Sequence, residues 1–250
     1  MEDFFSRSEF LLGSEAMEKL RTRRVLLFGV GGVGSWCAEA LIRTGLIHLT
    51  IVDGDTVQPS NINRQLPATR ETLNQPKVEA LKARLLTINP EAEIEAVHAM
   101  YKPTLPLKGE GETSESSDFR FEEYDFVIDA IDDVPAKADL IINATRARGI
   151  KVFSSMGAAL RFDPTAVTTG ELMSIKGDAL AKAVRARMKK IGLHPYRKVK
   201  CVYSTEQATP PCPLSKGEKI KGSLMQVTAV FGCTLASLVI RELKEPLQLP

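Results

Sequence analysis

Apolar runs alternate with amphipathic runs along most of the chain. The apolar run in RRVLLFGV predicts a buried strand, and SWCAEALIRTG behind it has helical periodicity and ends at Gly45, where a C-cap glycine belongs. HLTIVD predicts the next strand. QPKVEALKARLLTINP predicts a helix with Pro76 near its first turn and Pro90 beyond its end.

The alternation continues through the middle of the chain. EIEAVHA and YDFVIDAID predict strands, VPAKADLIINATRARG predicts a helix ending at Gly149, and IKVFSSMG predicts a return to the sheet. Because strands and helices alternate, we expect an α/β, Rossmann-like fold whose mostly parallel sheet has helices on both faces.

The pattern changes after Gly170. DALAKAVRARMKK predicts a basic helix, YRKVKCVYSTEQ a strand, and ATPPCPLSKGEKIKG a proline-rich crossing loop before a final helix. That last run, GSLMQVTAVFGCTLASLVI, is uncharged and long enough to span a bilayer, but its serines, threonines and glutamine favour a buried helix that closes the core.

We divide the chain into three parts on this basis. An N-terminal helical arm covers 1–24, a nucleotide-binding core covers 25–170, and 171–250 form a C-terminal extension of the same domain. We expect this extension to meet the substrate or a second subunit.

Composition narrows the class of protein. With 250 residues, 44% hydrophobic and 26% charged, the chain is typical of a globular protein, and its net charge of +2 indicates no partner. The four cysteines form no C-x-x-C pair, which argues against a zinc site and against a disulfide framework. We expect a cytoplasmic protein, with peripheral membrane association left open, because the N-terminus lacks the organisation of a signal peptide. Cys201 and Cys233 lie in apolar runs and are expected to be core thiols.

A glycine-rich loop predicts nucleotide binding. Gly29, Gly31 and Gly34 fit G-x-G-x-x-G between a strand and a helix, and Asp53 lies nineteen positions after Gly34. The glycines allow backbone N–H groups to approach phosphate, and the acid can take a ribose hydroxyl. Glycines that serve only helix–strand packing are the alternative, and this pattern alone does not separate NAD from ATP.

Fixed cations downstream favour a triphosphate over a dinucleotide. Arg64 and Lys77 can stabilise the charge that gathers at an α-phosphorus under attack. Asn61, Asn63 and Gln65 add neutral groups for phosphate or for a substrate carboxylate. Each of them alone could be a solvated loop residue.

Acidic residues end the strand in VIDAIDDV. Asp129 and Asp132 follow a sheet strand at the edge where α/β proteins bind ligands, and we expect Asp132 to hold a Mg²⁺ that bridges nucleotide phosphates. The competing interpretation is that Asp132 or Asp133 caps the next helix.

The motifs together resemble a known family. GVGGVGSWCAEALIRTG, VDGDTVQPSNINRQ, QPKVEALKARLLTINP and DAIDDV are similar to the ubiquitin-activating-enzyme-like (ThiF/MoeB-like) superfamily. Within it, RTGLIHLTIVD, DPTAVTTGEL, KCVYSTEQ and QVTAVFG resemble the family of tRNA threonylcarbamoyladenosine dehydratases. The resemblance implies that ATP adenylates the carboxylate of that nucleoside in a tRNA anticodon loop, and that cyclisation then releases AMP.

The same resemblance implies roles for individual residues. Arg64, Lys77 and Asp132 would be catalytic, with Asp132 as the ligand of Mg²⁺. A larger set would contact ATP: Gly29, Gly31, Gly34, Asp53, Asp55, Asn61, Arg64, Gln65, Lys77 and Asp132, together with Arg7, which would reach the ATP of a partner subunit in a homodimer.

Two further features concern partners. A basic tract suited to tRNA phosphates comprises Arg185, Lys189, Lys190, Arg197 and Lys198, although a solvated helix face would look the same. Some relatives carry a reactive cysteine just before the position of Gly222. The span LSKGEKIKG has none, so Cys212 nearby is either an incidental loop residue or a participant in catalysis. A sulfur-transfer protein of a cysteine desulfurase system is a possible partner.

Three other functions stay open at this point. An adenylyltransferase for the C-terminal glycine of a ubiquitin-like sulfur carrier is the nearest, but such relatives commonly carry paired C-x-x-C motifs. An NAD-dependent oxidoreductase is disfavoured by Arg64 and Lys77, and an inactive binding scaffold is hard to reconcile with the same cations.

Overall fold

A seven-stranded sheet forms the centre of the computed structural model, which describes residues 4–108, 119–210 and 222–243. Its strands are β1 (Arg24–Phe28), β2 (His48–Val52), β3 (Glu93–Val97), β4 (Phe126–Asp129), β5 (Lys151–Ser155), β6 (Val167–Glu171) and β7 (Lys200–Ser204). The helices are α1 (Ser6–Leu12), α2 (Ser14–Thr22), α3 (Gly34–Thr44), α4 (Lys77–Ile88), α5 (Val134–Arg146), α6 (Ala179–Ile191) and α7 (Met225–Leu243).

The strand order is β3-β2-β1-β4-β5-β7-β6, and only the pairing of β6 with β7 is antiparallel. The predicted, mostly parallel α/β sheet is therefore confirmed. From β1 the chain proceeds outward to β2 and β3, and then returns to place β4 on the other side of β1. Ligands of open α/β sheets bind in the crevice at such a reversal, outside the carboxyl ends of the strands. Here that crevice lies at the ends of β1 and β4.

Each face of the sheet has its own apolar core. Side chains of α2, α3, α4 and α7 pack on one face, and those of α5 and α6 pack on the other. Both faces are covered, and for this reason the strands are apolar runs rather than alternating ones. The left-handed Gly45 ends α3 with φ +116°, as predicted from the sequence.

The long apolar helix α7 is part of the first core. It is the one helix within the described ranges whose length and composition would allow it to cross a membrane. Its most apolar 18-residue stretch is 56% buried inside the protein. Val227, Phe231 and Leu235 lie on one side and are fully buried. The buried-helix interpretation is thus favoured over a membrane span.

The structure departs from the sequence analysis at three points. Cys233 is exposed rather than a core thiol, because it lies on the side of α7 opposite the buried row, whereas Cys201 in β7 is buried as expected. The helix predicted to reach Gly149 ends at Arg146, since Ala147 is already extended. The edge strand β6 was not predicted, because all five of its residues are half-buried and their pattern is weak.

The first part of the chain contains two short helices. Gly13, with φ +85°, separates α1 from α2. α2 buries Met17 and Leu20 under the sheet, whereas α1 buries no side chain and leaves Phe10 and Leu11 exposed. The boundaries drawn at 24 and 170 stay predictions. Cys212 lies outside the described residues.

Candidate active site

The glycine loop joins β1 to α3 in a conformation that demands glycine twice. Gly29 has φ +83°, and a Cβ there would lie 2.7 Å from the carbonyl oxygen of Ala130. A Cβ on Gly34 would lie 1.8 Å from the carbonyl oxygen of Gly29, which no side chain tolerates. Gly31 differs, because its nearest neighbour is the Gln65 amide at 3.7 Å. The first and last glycines shape the turn, while the middle one leaves the backbone open to a ligand.

Asp53, at the end of β2, braces this loop. One of its carboxylate oxygens accepts a hydrogen bond from the Val30 N–H at 2.9 Å, and the other accepts one from the Asp55 N–H at 2.9 Å. A carboxylate has about four acceptor positions, so two remain for the hydroxyls of a ribose. Asp53 is half-buried at the crevice, where the sequence placed the ribose acid. Its contact with ribose stays a prediction.

A tight turn from Gln58 to Gln65 brings polar groups beside the loop. Asn61 is buried and caps the turn, because its Oδ1 accepts a hydrogen bond from the Gln58 N–H at 3.0 Å. The indole of Trp36 in α3 donates to the carbonyl oxygen of Arg64 at 3.1 Å. The turn is therefore fastened to the first helix of the nucleotide-binding unit. Asn61 thus holds the turn through its side-chain oxygen.

The Arg64 side chain lies across the glycine loop. A Cβ on Gly32 would lie 3.2 Å from Arg64 Cγ, so the aliphatic part of the arginine rests on that glycine. Arg64 Nη1 donates to the carbonyl oxygen of Ser60 and to Asn63 Oδ1, each at 2.9 Å. These two contacts orient the guanidinium and leave its other N–H groups available for phosphate oxygens.

Gln65 supplies an unmatched acceptor next to the loop. The residue is 7% exposed, and its buried Oε1 has no hydrogen-bond partner in the part of the chain that the structure describes. A buried acceptor without a donor is costly, so such an atom indicates a missing partner. The Gln65 amide nitrogen Nε2, which is the side-chain atom nearest Gly31, can donate to a phosphate oxygen of a nucleotide bound there. The residues present thus fit ATP.

Lys77 begins α4 and already has an anionic partner. Its ammonium Nζ lies 2.6 Å from Asp55 Oδ2, and the Lys77 side chain is 7% exposed. The backbone is fixed as well, since the Lys77 N–H donates to the Asp55 carbonyl oxygen at 3.0 Å. Asp55, which is 58% exposed, orients the ammonium at the mouth of the crevice. The predicted contact of Lys77 with phosphate requires it to bind an oxygen in addition to this carboxylate.

The three aspartates at the end of β4 and just after it have separate roles in the structure. Asp133 caps α5, because its carboxylate accepts a hydrogen bond from the Ala136 N–H at 2.8 Å. Asp129 is fully buried and bonds to Lys137 Nζ at 2.6 Å and to Ser154 Oγ at 2.5 Å. Asp132 is exposed and makes no hydrogen bond to any residue that the structure describes. Of the three carboxylates, Asp132 is the one that is free to meet a ligand.

This arrangement fits a Mg²⁺ ion that binds together with the phosphates of a nucleotide. No group of three or more acidic, histidine or cysteine side chains in the described residues could hold a metal by itself. Mg²⁺ usually takes one or two carboxylates, several waters and the phosphates of its substrate. Asp132 is suited to be such a single carboxylate.

The buried pair of Lys137 and Asp129 was not found in the sequence. Both side chains are 0% exposed. The second oxygen of Asp129 accepts from the Ile131 N–H at 3.1 Å, so the pair fixes the backbone just before Asp132. A lysine one turn into a helix whose N-cap follows an acidic strand end is the signal that could have indicated it.

The remaining predicted site residues lie away from the crevice. Arg7 is exposed on α1. α6 begins at the carboxyl edge of the sheet, where its N-cap Asp178 accepts a hydrogen bond from the Gly157 N–H. Arg197 lies at the amino edge, because it donates to the carbonyl oxygen of Ile150, just before β5, at 3.3 Å. Lys189 and Lys190 lie in the last turn of α6 and hence at that amino edge.

The basic tract therefore does not adjoin the glycine loop. Arg185 lies midway along α6 and donates to the Leu172 carbonyl oxygen at 2.8 Å, whereas Lys198 is exposed with Arg197. A helix of 13 residues is roughly 20 Å long. An RNA that contacts both the tract and the crevice must extend along the α6 face.

Comparisons with known proteins agree with this geometry. The ThiF family model matches residues 5–248. A tRNA threonylcarbamoyladenosine dehydratase from Bacillus subtilis is 39% identical over 204 residues, which cover 81% of this chain and 74% of that protein. The crystal structure of the Escherichia coli tRNA N6-threonylcarbamoyladenosine dehydratase in complex with ATP superposes with a TM-score of 0.79 at 31% identity, over 96% of this chain and 93% of that one. A molybdopterin-synthase adenylyltransferase from Escherichia coli is 34% identical over 149 residues, 60% of this chain and 54% of that protein.

Proposed function

The chain belongs to the ThiF family and, within it, to the tRNA threonylcarbamoyladenosine dehydratases, and from this premise we propose that it is an ATP-dependent enzyme that adenylates the carboxylate of threonylcarbamoyladenosine in tRNA. Cyclisation of the activated nucleoside then releases AMP. The observation that supports this proposal best is the Arg64 side chain resting on Gly32 beside an open glycine loop. A phosphate on that loop would meet backbone N–H groups and a guanidinium together.

Charge neutralisation is the main requirement of the first step. The attacking group is a carboxylate and its target is a triphosphate, so two anions must approach each other. Arg64 can offset this repulsion because Ser60 and Asn63 hold its guanidinium in place before the substrate arrives. Lys77, oriented by Asp55, adds a second cation at the mouth of the crevice. No general base is needed, because the nucleophile is already ionised.

Mg²⁺ would be held by Asp132 and would supply charge neutralisation at the phosphates. Two observations support this role: the Asp132 carboxylate has no hydrogen-bond partner within the described ranges, and the Asp129–Lys137 pair fixes the backbone before it. The second step needs no protein nucleophile. The attacking atom belongs to the same nucleoside as the mixed anhydride, so proximity accelerates the cyclisation.

We also propose a homodimer formed through the N-terminal arm. α1 exposes Phe10 and Leu11, and Phe4 before it is 87% exposed. Exposed apolar side chains concentrated on one short helix are typical of a protein contact. Arg7 lies on the same helix, so docking on a second copy would deliver its guanidinium to that copy. The proposed reaction moves no sulfur, so it gives no support to a sulfur-transfer partner, which stays a prediction. A cytoplasmic location also stays a prediction.

An assay with two alternative acceptors tests the activity. The purified protein is incubated with ATP, Mg²⁺ and either tRNA carrying threonylcarbamoyladenosine or a ubiquitin-like carrier ending in glycine. We expect pyrophosphate and AMP with the tRNA alone, and a nucleoside lighter by one water. Pyrophosphate release with the carrier but not with the tRNA would identify a sulfur-carrier adenylyltransferase.

Variants link the activity to the site. Arg64→Ala is expected to reduce turnover by roughly 10²–10³-fold, the usual effect of removing one preorganised transition-state donor. Arg120→Ala is the control, since that arginine is 84% exposed and pairs only with Glu123 within the described residues. Equal activity of the two variants would contradict the assignment of Arg64.

A further inference from the structure

Arg161 is a buried cation close to the crevice that the mechanism above does not use. It follows the carboxyl end of β5, and its side chain is 3% exposed. Its ion-pair partner is Asp178, which is 0% exposed. Charged residues are rarely buried to this extent without full pairing.

The pairing of Arg161 is incomplete. Nη2 lies 3.6 Å from Asp178 Oδ2, which is too long for a hydrogen bond. The buried Nε and Nη1 have no hydrogen-bond partner among the residues that the structure describes. Nε has one N–H and Nη1 has two, so three donors of a buried cation are unmatched. Each unmatched donor carries the cost of desolvation without the stabilisation of a hydrogen bond, so such groups indicate an absent partner.

Asp178 does not supply the missing acceptors, because its ion-pair contact with the guanidinium, at 3.6 Å, is too long for a hydrogen bond. Its carboxylate caps α6 by accepting from the Ala181 N–H at 2.8 Å, and it accepts from the Gly157 N–H at 3.2 Å. It thus orients Arg161 electrostatically without saturating the guanidinium. The N-terminus of α6 adds positive potential at the same place. An oxyanion is the partner that matches this charge and these donors.

Arg161 lies at the same edge of the sheet as the ATP site. The neighbouring Leu160 donates its N–H to the Gly222 carbonyl oxygen at 2.9 Å. Next to Gly222, the Ser223 carbonyl oxygen accepts from Asn63 Nδ2 at 2.9 Å, and Asn63 directly precedes Arg64. Two hydrogen bonds therefore connect the Arg161 loop to the turn that carries Arg64.

We propose that Arg161 binds an oxyanion of the tRNA substrate, either the carboxylate of the modified nucleoside or a backbone phosphate of the anticodon loop. The inference rests on the proposed function and adds a substrate-binding residue to it. The ATP phosphates are not the occupant in this proposal, because Arg64 and the glycine loop serve them. Arg161 instead makes the affinity for tRNA depend on a negative charge of the tRNA itself, separate from the charges of ATP.

Binding measurements with three stem-loop RNAs test the proposal. The RNAs carry threonylcarbamoyladenosine, its carboxamide analogue or plain adenosine, and each is titrated into the wild-type protein and Arg161→Gln. We expect the variant to bind the carboxylate RNA at least about 10-fold more weakly, because a charge-assisted hydrogen bond is lost. ATP affinity, measured by calorimetry, should stay within twofold of wild type. Arg120→Gln is the control, since its side chain is 84% exposed and pairs with Glu123 at 3.5 Å.

The pattern of losses identifies the oxyanion. A loss confined to the carboxylate RNA supports the nucleoside carboxylate, and an equal loss with all three RNAs supports a backbone phosphate. Unchanged binding of all three RNAs, or a loss of ATP affinity in a folded variant, overturns the proposal. If Arg161→Gln does not fold, Arg161→Lys is measured instead and should show a smaller loss with the same pattern. A wild-type protein that binds these RNAs but produces no AMP would refute the proposed function and leave this test unaffected.

Discussion

The buried pair of Asp129 and Lys137 allows a quantitative prediction about stability. Their charged atoms are 2.6 Å apart with both side chains 0% exposed. At an effective dielectric constant of about 20, two unit charges at that distance attract by about 6 kcal/mol. Desolvation offsets much of this attraction, so the intact pair contributes less. Lys137→Met removes the attraction but leaves the cost of burying the carboxylate.

We expect Lys137→Met to lower the free energy of unfolding by about 3–5 kcal/mol, the usual cost of breaking a buried pair. Domains are typically stable by about 5–15 kcal/mol, so the variant should unfold at clearly lower urea concentration. Combining it with Asp129→Asn removes both charges. The double variant should lose at least about 2 kcal/mol less than the sum of the two single losses.

Equilibrium urea unfolding followed by circular dichroism measures these differences. Lys151→Met provides the matched control, because that lysine lies in the same sheet and pairs with Glu242 at 3.1 Å but is 59% exposed. Its loss should be at most about 1 kcal/mol. If Lys137→Met costs no more than the control, or if the two core substitutions add without coupling, the reasoning about the buried pair is wrong.

Three further outcomes follow from geometry already described. Gly34→Ala should abolish ATP binding in calorimetry and lower the melting temperature, since a Cβ would lie 1.8 Å from the Gly29 carbonyl oxygen; retained ATP affinity would contradict the loop geometry. Burial raises the pKa of the Cys37 and Cys201 thiols far above their usual range, so neither should be alkylated by iodoacetamide at pH 8 in the folded protein, as site-resolved mass spectrometry would show. Lys189→Glu combined with Lys190→Glu, in the last turn of α6, should weaken tRNA binding and reduce its salt dependence. An unchanged salt slope in filter binding would exclude the basic tract as a tRNA contact.

Local signals predicted most of the fold. Gly45 has the left-handed conformation that a C-cap glycine supplies, and Pro76 immediately precedes α4. Such features depend on a few neighbouring residues and can be recognised in the sequence. The edge strand β6 could not be, because its residues are half-buried and its pairing with β7 depends on contacts distant in sequence.

The structure brings together several residues that the sequence singled out, and their roles in binding ATP stay predictions. The sequence pointed to the crevice that holds Gly31, Asp53 and Arg64. It did not show that Lys77 pairs with Asp55, because that contact joins the start of α4 to the loop after β2. Arg161 was missed for the same reason. Its unmatched donors become visible only when burial is known.

Both lateral margins of the sheet discourage further strands from adding. β3 carries Glu93 and Glu95 at one margin, and β6 ends in Glu171 at the other. Carboxylates along an open margin repel a second copy that would otherwise continue the hydrogen-bonded ladder. A second copy that added its strand to either margin of this sheet would therefore bring like charges together.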